Sequence, residues 1–175
     1  MEETEHLAIQ KVVLDAGPII HLDEIESLHL LKDFKELLIP EAVWKEIQYH
    51  RPVALNINNI PFIKIPVLMD SNSPLSILCN TFDLDEGESQ AMFFASMQQN
   101  AIFLTDDAAA RLAAKSIGLR AYGTIGILLR AIRRKQLTPQ EVIKHLEEIP
   151  SKSTLYIKHT LLQRIIEEVK KECSL

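Results

Sequence analysis

Cysteine is scarce in this 175-residue chain: there are two, Cys79 and Cys173, far apart in the sequence. Their number and placement exclude a disulfide framework and the paired spacing of a zinc site, and lead us to expect free thiols in a reducing cytoplasm. Glycine is almost as rare, with 5 residues. No Gly-x-x-x-x-Gly-Lys occurs and no Gly-x-Gly-x-x-Gly follows a strand-like run, so nucleoside-triphosphate and dinucleotide binding have no support. No apolar run approaches the ~20 residues that span a bilayer. The opening "MEETEHLAIQ" lacks the basic-then-apolar order of a signal peptide. An excess of positive charge is missing too: 19 Lys and Arg face 24 Asp and Glu, for a net charge of -5. That is not the signature of a domain that meets phosphate backbones through bulk charge. Acids gathered around a cation would be neutralised locally, however, leaving basic patches elsewhere.

What is present is globular. The composition is 47% hydrophobic and 25% charged, enough for one well-buried core and too short for two ordinary domains. We expect a single domain over residues 1–175, with residues 1–10 an N-terminal extension and 151–175 a last helix.

"KVVLDAGPII" runs from three buried-strand residues, Val12 to Leu14, straight into a carboxylate, Asp15. "AIFLTDD" repeats the pattern and ends on Asp106 and Asp107. Two more short strands are predicted at "ELLIP" and "FIKIPV", and a fifth at "RAYG". Helical stripes fill the intervals. "IIHLDEIESLHLLKDF" reads as one helix, "PEAVWKEIQYH" opens with Pro and an acid, and "LDEGESQAMFFASMQQN" carries Asp85, Glu86 and Glu88 in its first turn. Three helices finish the chain, with Thr138-Pro139 and Ser153 as caps. Short apolar strands alternating with helices predict an α/β fold with a mostly parallel sheet. In such sheets ligands bind beyond the carboxyl ends of the strands, where Asp15 and Asp106-Asp107 fall.

Glu46 lies on the helix after the second strand and Glu88 on the helix leading to the Asp106 strand, so four segments can aim carboxylates into one crevice. Alone, such a cluster repels itself. A divalent cation removes the conflict, and an all-oxygen donor set suits Mg2+ or Mn2+ rather than zinc. Carboxylate-held metals of this kind serve phosphate chemistry, above all phosphodiester hydrolysis by a metal-activated water. Each acid also has a plainer use: Asp15 as a turn former or cap, Asp85, Glu86 and Glu88 as helix-dipole partners, one of Asp106 and Asp107 as a cap, Glu46 as a solvated helix residue.

"VVLDAGPIIHL", "LLIPEAVWKEI", "DEGESQAMFFA" and "IFLTDDAAARLAA", in that order, resemble the four acidic motifs of the PIN-domain superfamily, and the Gly-Glu and Asp-Asp variants are similar to its VapC-like subgroup. "GTIGILLRAIRRKQLTP" and "STLYIKHTLLQRIIEE" resemble that subgroup's C-terminal helices, so the likeness runs roughly from Lys11 to Lys171. It implies a three-layer α/β/α sandwich and a cytoplasmic Mg2+- or Mn2+-dependent endoribonuclease, often the toxin of a toxin-antitoxin pair. RNA would be the substrate, an antitoxin protein a partner, and a homodimer the assembly. By the same resemblance Asp15, Glu46, Glu88 and Asp107 would be the metal ligands, with Asp106 a supporting acid. The chain departs from the pattern at Gly17, where many relatives carry Ser or Thr, and in having Glu as its third acid. A PIN-like module that binds RNA or protein without cleaving is the alternative. A small-molecule phosphatase would want an Asp-x-Asp pair, which "DAGPI" does not supply. The basic run Arg130, Arg133, Arg134 and Lys135 reads first as a solvated helix end. Under the nuclease reading it becomes a candidate phosphate groove together with Lys152, Lys158 and Arg164.

Overall fold

The computed structural model describes residues 11–56 and 60–173; the proposed extension at residues 1–10 lies outside them. Five strands form one sheet: β1 (Lys11–Leu14), β2 (Glu36–Pro40), β3 (Phe62–Ile65), β4 (Ile102–Leu104) and β5 (Ala121–Tyr122). Every pairing is parallel and the order is β3-β2-β1-β4-β5. The sheet is therefore wholly rather than mostly parallel, as expected when each strand returns through a helix.

Among the described residues there are eight α-helices: α1 (Ala16–Glu24), α2 (Glu41–His50), α3 (Pro74–Thr81), α4 (Glu86–Met97), α5 (Ala108–Ser116), α6 (Thr124–Arg133), α7 (Pro139–Lys152) and α8 (His159–Glu172). Helix α1 packs with α2 and α6, and α6 with α7; α4 packs with α2, α3 and α5 and lies against β1, β2 and β4. Helices on both faces leave the inner strands no water-facing side. Val12, Val13 and Leu14 of β1 and Phe103 and Leu104 of β4 are accordingly fully buried, which is why these strands read as unbroken apolar runs rather than alternating ones. The result is the α/β/α sandwich that the sequence predicts.

Three local differences stand out, the first with a clear physical cause. The stretch expected as one helix over "IIHLDEIESLHLLKDF" divides into α1 and a 3-10 turn, Leu28–Asp33. Glu26 adopts a left-handed backbone, φ 57°, and the amide of Ser27 donates back to the carbonyl of Leu22 at 2.7 Å, which closes the helix end. Next, α7 runs past Pro150 to Lys152. Finally, Ser153 ends α7 instead of opening the last helix; residues 153–158 form neither helix nor strand, and α8 begins at His159.

Chain direction fixes where a ligand can approach. From β1 the sheet grows one way through β2 and β3, and the other way through β4 and β5. Neighbouring connections thus diverge between β1 and β4, opening a crevice at the carboxyl ends of those two strands.

Candidate active site

Asp15 follows β1 at that switch point and is 6% exposed. Its amide donates to the carbonyl of Leu104 at 2.9 Å, which extends the β1–β4 pairing by one residue. Its carboxylate is held at both ends: Oδ1 accepts from the amide of Ala16 at 2.8 Å and Oδ2 from the hydroxyl of Thr105 at 2.8 Å. Thr105 is fully buried, and its Oγ1 in turn accepts from the amide of Asp107 at 3.1 Å. One hydroxyl thereby ties the end of β1 to the start of α5 and leaves no slack in where Asp15 points. Asp15 does cap α1, as its plainer reading held, and the same bond fixes the carboxylate in the crevice.

Glu46, on α2, reaches the N-terminus of α4. A Cβ placed on Gly87 would meet its Oε2 at 3.3 Å and Val43 Cγ2 at 3.2 Å. The glycine is what allows α2 and its acid to lie this close. Glu88 stands one residue further along α4. Its Oε2 accepts from the amide of Asp85 at 3.0 Å while its own amide donates to Asp85 Oδ1 at 2.8 Å, a closed capping box. Asp107 caps α5, with Oδ1 accepting from the amide of Ala110 at 2.7 Å.

The charges of these groups are felt mutually. Burial, reinforced by Glu88 and Glu46, pushes the Asp15 carboxyl from 3.8 up to about 8 against the pull of its Thr105 and Ala16 bonds. Burial, with Asp85, Asp107 and Glu46 adding to it, lifts Glu88 from 4.5 to about 7. Burial and then Asp85 raise Glu46, with His50 opposing. Asp15, Glu46, Glu88 and Asp107 thus form one electrostatic unit, drawn from four separate chain segments. Asp85 joins it.

Asp106 does not. Its Oδ1 accepts from the amide of Thr124 at 2.7 Å, and its Oδ2 accepts from the Thr124 hydroxyl at 2.6 Å and lies 2.8 Å from His21 Nδ1. It anchors α6 to α1 and β4. A Cβ on Gly123 would overlap Asp106 Oδ1, so glycine is required there for the anchor to close. Of the neighbouring acids, Asp107 faces the crevice and Asp106 the scaffold.

The basic run lies elsewhere. A helix following a parallel strand runs back across the sheet, and the length of α6 carries its last turn about 15 Å away. Arg130 and Arg134 there grip Asp33, ahead of β2, at 2.6 and 2.9 Å. The Arg130 guanidinium also stacks 4.3 Å above the ring of Phe34. Arg133 and Lys135 are exposed at the same end. The run is therefore at the amino edge of the sheet, remote from the acids, and two of its four cations bind the protein itself.

An all-carboxylate donor set with elevated proton affinities is the chemistry that a hard divalent cation satisfies. The side chains are not gathered as a finished coordination shell: among the described residues, no group of three His, Cys, Asp or Glu is close enough to hold one ion. Glu88 and Asp107 are turned to the amides of Asp85 and Ala110, the natural refuge of like charges that face one another.

Thr105 was not singled out from the sequence, nor was His21 paired with Asp106. The sequence signal for Thr105 is a hydroxyl directly after the apolar strand and before the acids, a position that reaches the neighbouring strand's end.

A wholly parallel sandwich with acids at its switch point places the candidate ligand site in the crevice beyond the carboxyl ends of β1 and β4. The chain belongs to the PIN-domain family DUF3368, which it matches over residues 11–171. PIN domains are nuclease-type modules and typically use divalent metals. Among curated proteins and among solved structures no match to the chain is found. Among the described residues, no helix is long and apolar enough to cross a membrane.

Proposed function

We propose that this protein is a Mg2+- or Mn2+-dependent endoribonuclease of the VapC-like kind, hydrolysing RNA phosphodiesters as the toxin of a toxin-antitoxin pair. The observation that carries the reading is geometric: buried Asp15, fixed by Thr105 and Ala16 at the carboxyl edge of β1 and β4, with Glu46 packed against Gly87 beside Glu88 at the start of α4. Proteins rarely place a buried carboxylate beside further half-buried ones outside functional sites.

Asp15, Glu46, Glu88 and Asp107 would hold the cation, which supplies an activated water and neutralises charge on the phosphate. The chain's own groups do the rest. Thr105 aims Asp15, and Gly87 lets Glu46 approach α4. Arg111, whose guanidinium donates to the carbonyl of Thr105 at 3.2 Å, can meet a phosphate at the crevice rim. An antitoxin protein and a second copy of the chain are the partners this role entails.

The non-cleaving alternative draws on the absence, among the described residues, of a converged ligand group. Incubating the purified chain with RNA and Mg2+ or Mn2+ separates the two. Cleavage that EDTA abolishes and Asp15→Asn removes is expected; RNA binding with no cleavage under either metal favours the alternative.

A further inference from the structure

Beside the acidic crevice lies a second depression of about 510 Å3, between the start of α6, the segment 155–158 and α8. Its walls are largely apolar, built from Ile125, Leu155, Ile157, Leu161 and Ile165. Two cations line it, Arg111 and Lys158. Neither forms an ion pair among the described residues. Arg111 is steadied by its bond to the Thr105 carbonyl, so its guanidinium is fixed at the end of β4. Tyr156, 85% exposed, also lines the groove with its ring open to solvent. The one acid on the wall, Asp106, has both oxygens engaged by Thr124 and His21. Arg111 on this wall donates to the carbonyl of Thr105, whose hydroxyl holds Asp15, so the groove lies one residue away from the crevice.

We propose that this groove receives a single unpaired nucleotide of the RNA strand, adjacent to the phosphodiester presented to the acids; the proposal rests on the RNA reading above. Apolar walls with an exposed aromatic ring suit a base, which offers a π-face whatever its sequence. Arg111 and Lys158 suit the attached phosphate. The volume is in the range that encloses a small organic ligand. A base held in its Watson–Crick partner's stack cannot enter, so the groove selects single strands, loops or bulges. The apolar walls explain what the acidic net charge leaves open, namely how an acidic chain retains RNA: one base is grasped locally instead of the backbone along its length.

The test uses the full chain with EDTA present, so that cleavage plays no part. Uridine 5′-monophosphate, adenosine 5′-monophosphate and ribose 5-phosphate are titrated while amide NMR signals are followed. Both nucleotides should shift Gly126, Tyr156 and Lys158, and ribose 5-phosphate should bind at least about tenfold more weakly. Lys158→Glu and Leu161→Glu, both at exposed positions, should each weaken nucleotide binding by about tenfold or more while leaving circular dichroism unchanged. The proposal is overturned if nucleotides at about 10 mM move none of these signals, or if ribose 5-phosphate binds equally well. It is also overturned if an acidic peptide displaces the nucleotides at lower concentration, which would mark the groove as a protein-docking site. Asp15→Asn should keep this binding. A chain that binds nucleotides here yet cleaves no RNA with either metal loses the nuclease reading alone, and one that cleaves without such binding loses the groove alone.

Discussion

Replacing Asp15 by Asn should make the metal-free protein more stable at alkaline pH, the opposite of what loss of a buried hydrogen-bonded group ordinarily does. Asn keeps the geometry: its carbonyl can accept from the Ala16 amide, and its amide can donate to Thr105 Oγ1, the two partners that Asp15 now has. What it removes is the charge. The Asp15 carboxyl is raised from 3.8 to about 8, chiefly by burial and then by Glu88 and Glu46. The folded chain thus holds this proton more tightly than the unfolded chain does, and the stability this confers is complete below 3.8 and drains away as the pH climbs to about 8. A span of about four pH units at about 1.4 kcal/mol each sets a ceiling of about 6 kcal/mol, and relaxation at a crevice open to water brings the expected figure to about 2–3 kcal/mol. Urea unfolding of both proteins in EDTA, at pH 4.5 and pH 8, reads it directly. The stability of the Asn variant relative to wild type should grow by about 2–3 kcal/mol between the two pH values, or about 5–10 °C in Tm. A difference that is constant with pH, or that turns further against the variant at pH 8, would refute the account of the crevice as a store of unpaired negative charge.

Cation affinity should run the other way. Because Asp15 and Glu88 titrate near 8 and 7, bound protons compete below those values, so the apparent Mn2+ affinity measured by calorimetry should rise from pH 6 to pH 8 with proton release. Thr105→Val strands Asp15 Oδ2 and the Asp107 amide, and should cost about 1–3 kcal/mol of stability while weakening Mn2+ about tenfold or more, both readable in one thermal-shift series. Gly123→Ala forces its new methyl group onto Asp106 Oδ1 and should destabilise the fold by about 1–3 kcal/mol in the same urea assay. Charge reversal at Arg133 and Lys135, at the amino edge of the sheet, should leave the RNA cleavage rate unchanged.

The sequence made the strands and the ends of β1 and β4 legible because both carry fully buried, unbroken apolar runs that stop at acids. Parallel connection then gathered those ends without any knowledge of side-chain packing. Other features were beyond its reach. Whether Asp106 or Asp107 faces the crevice depends on the approach of α6, which a glycine at 123 permits and no local pattern announces. The fate of Arg130 and Arg134 turns on Asp33, about a hundred residues away in sequence, a pairing that helical spacing cannot encode. The division of the first long helical stripe came from a single left-handed residue, Glu26, whose type gives no warning. Glu88 and Asp107 close helix ends, as their plainer reading held, and the charge of Asp107 adds to the rise of Glu88.

Crystals of the chain grown with Mn2+ and measured for anomalous scattering provide the most direct test of whether acids from four segments share one cation. The account predicts a manganese peak enclosed by Asp15, Glu46, Glu88 and Asp107, with Glu88 released from the Asp85 amide to reach it. Ordered carboxylates in their present hydrogen bonds, with no peak between them at saturating Mn2+, would contradict it.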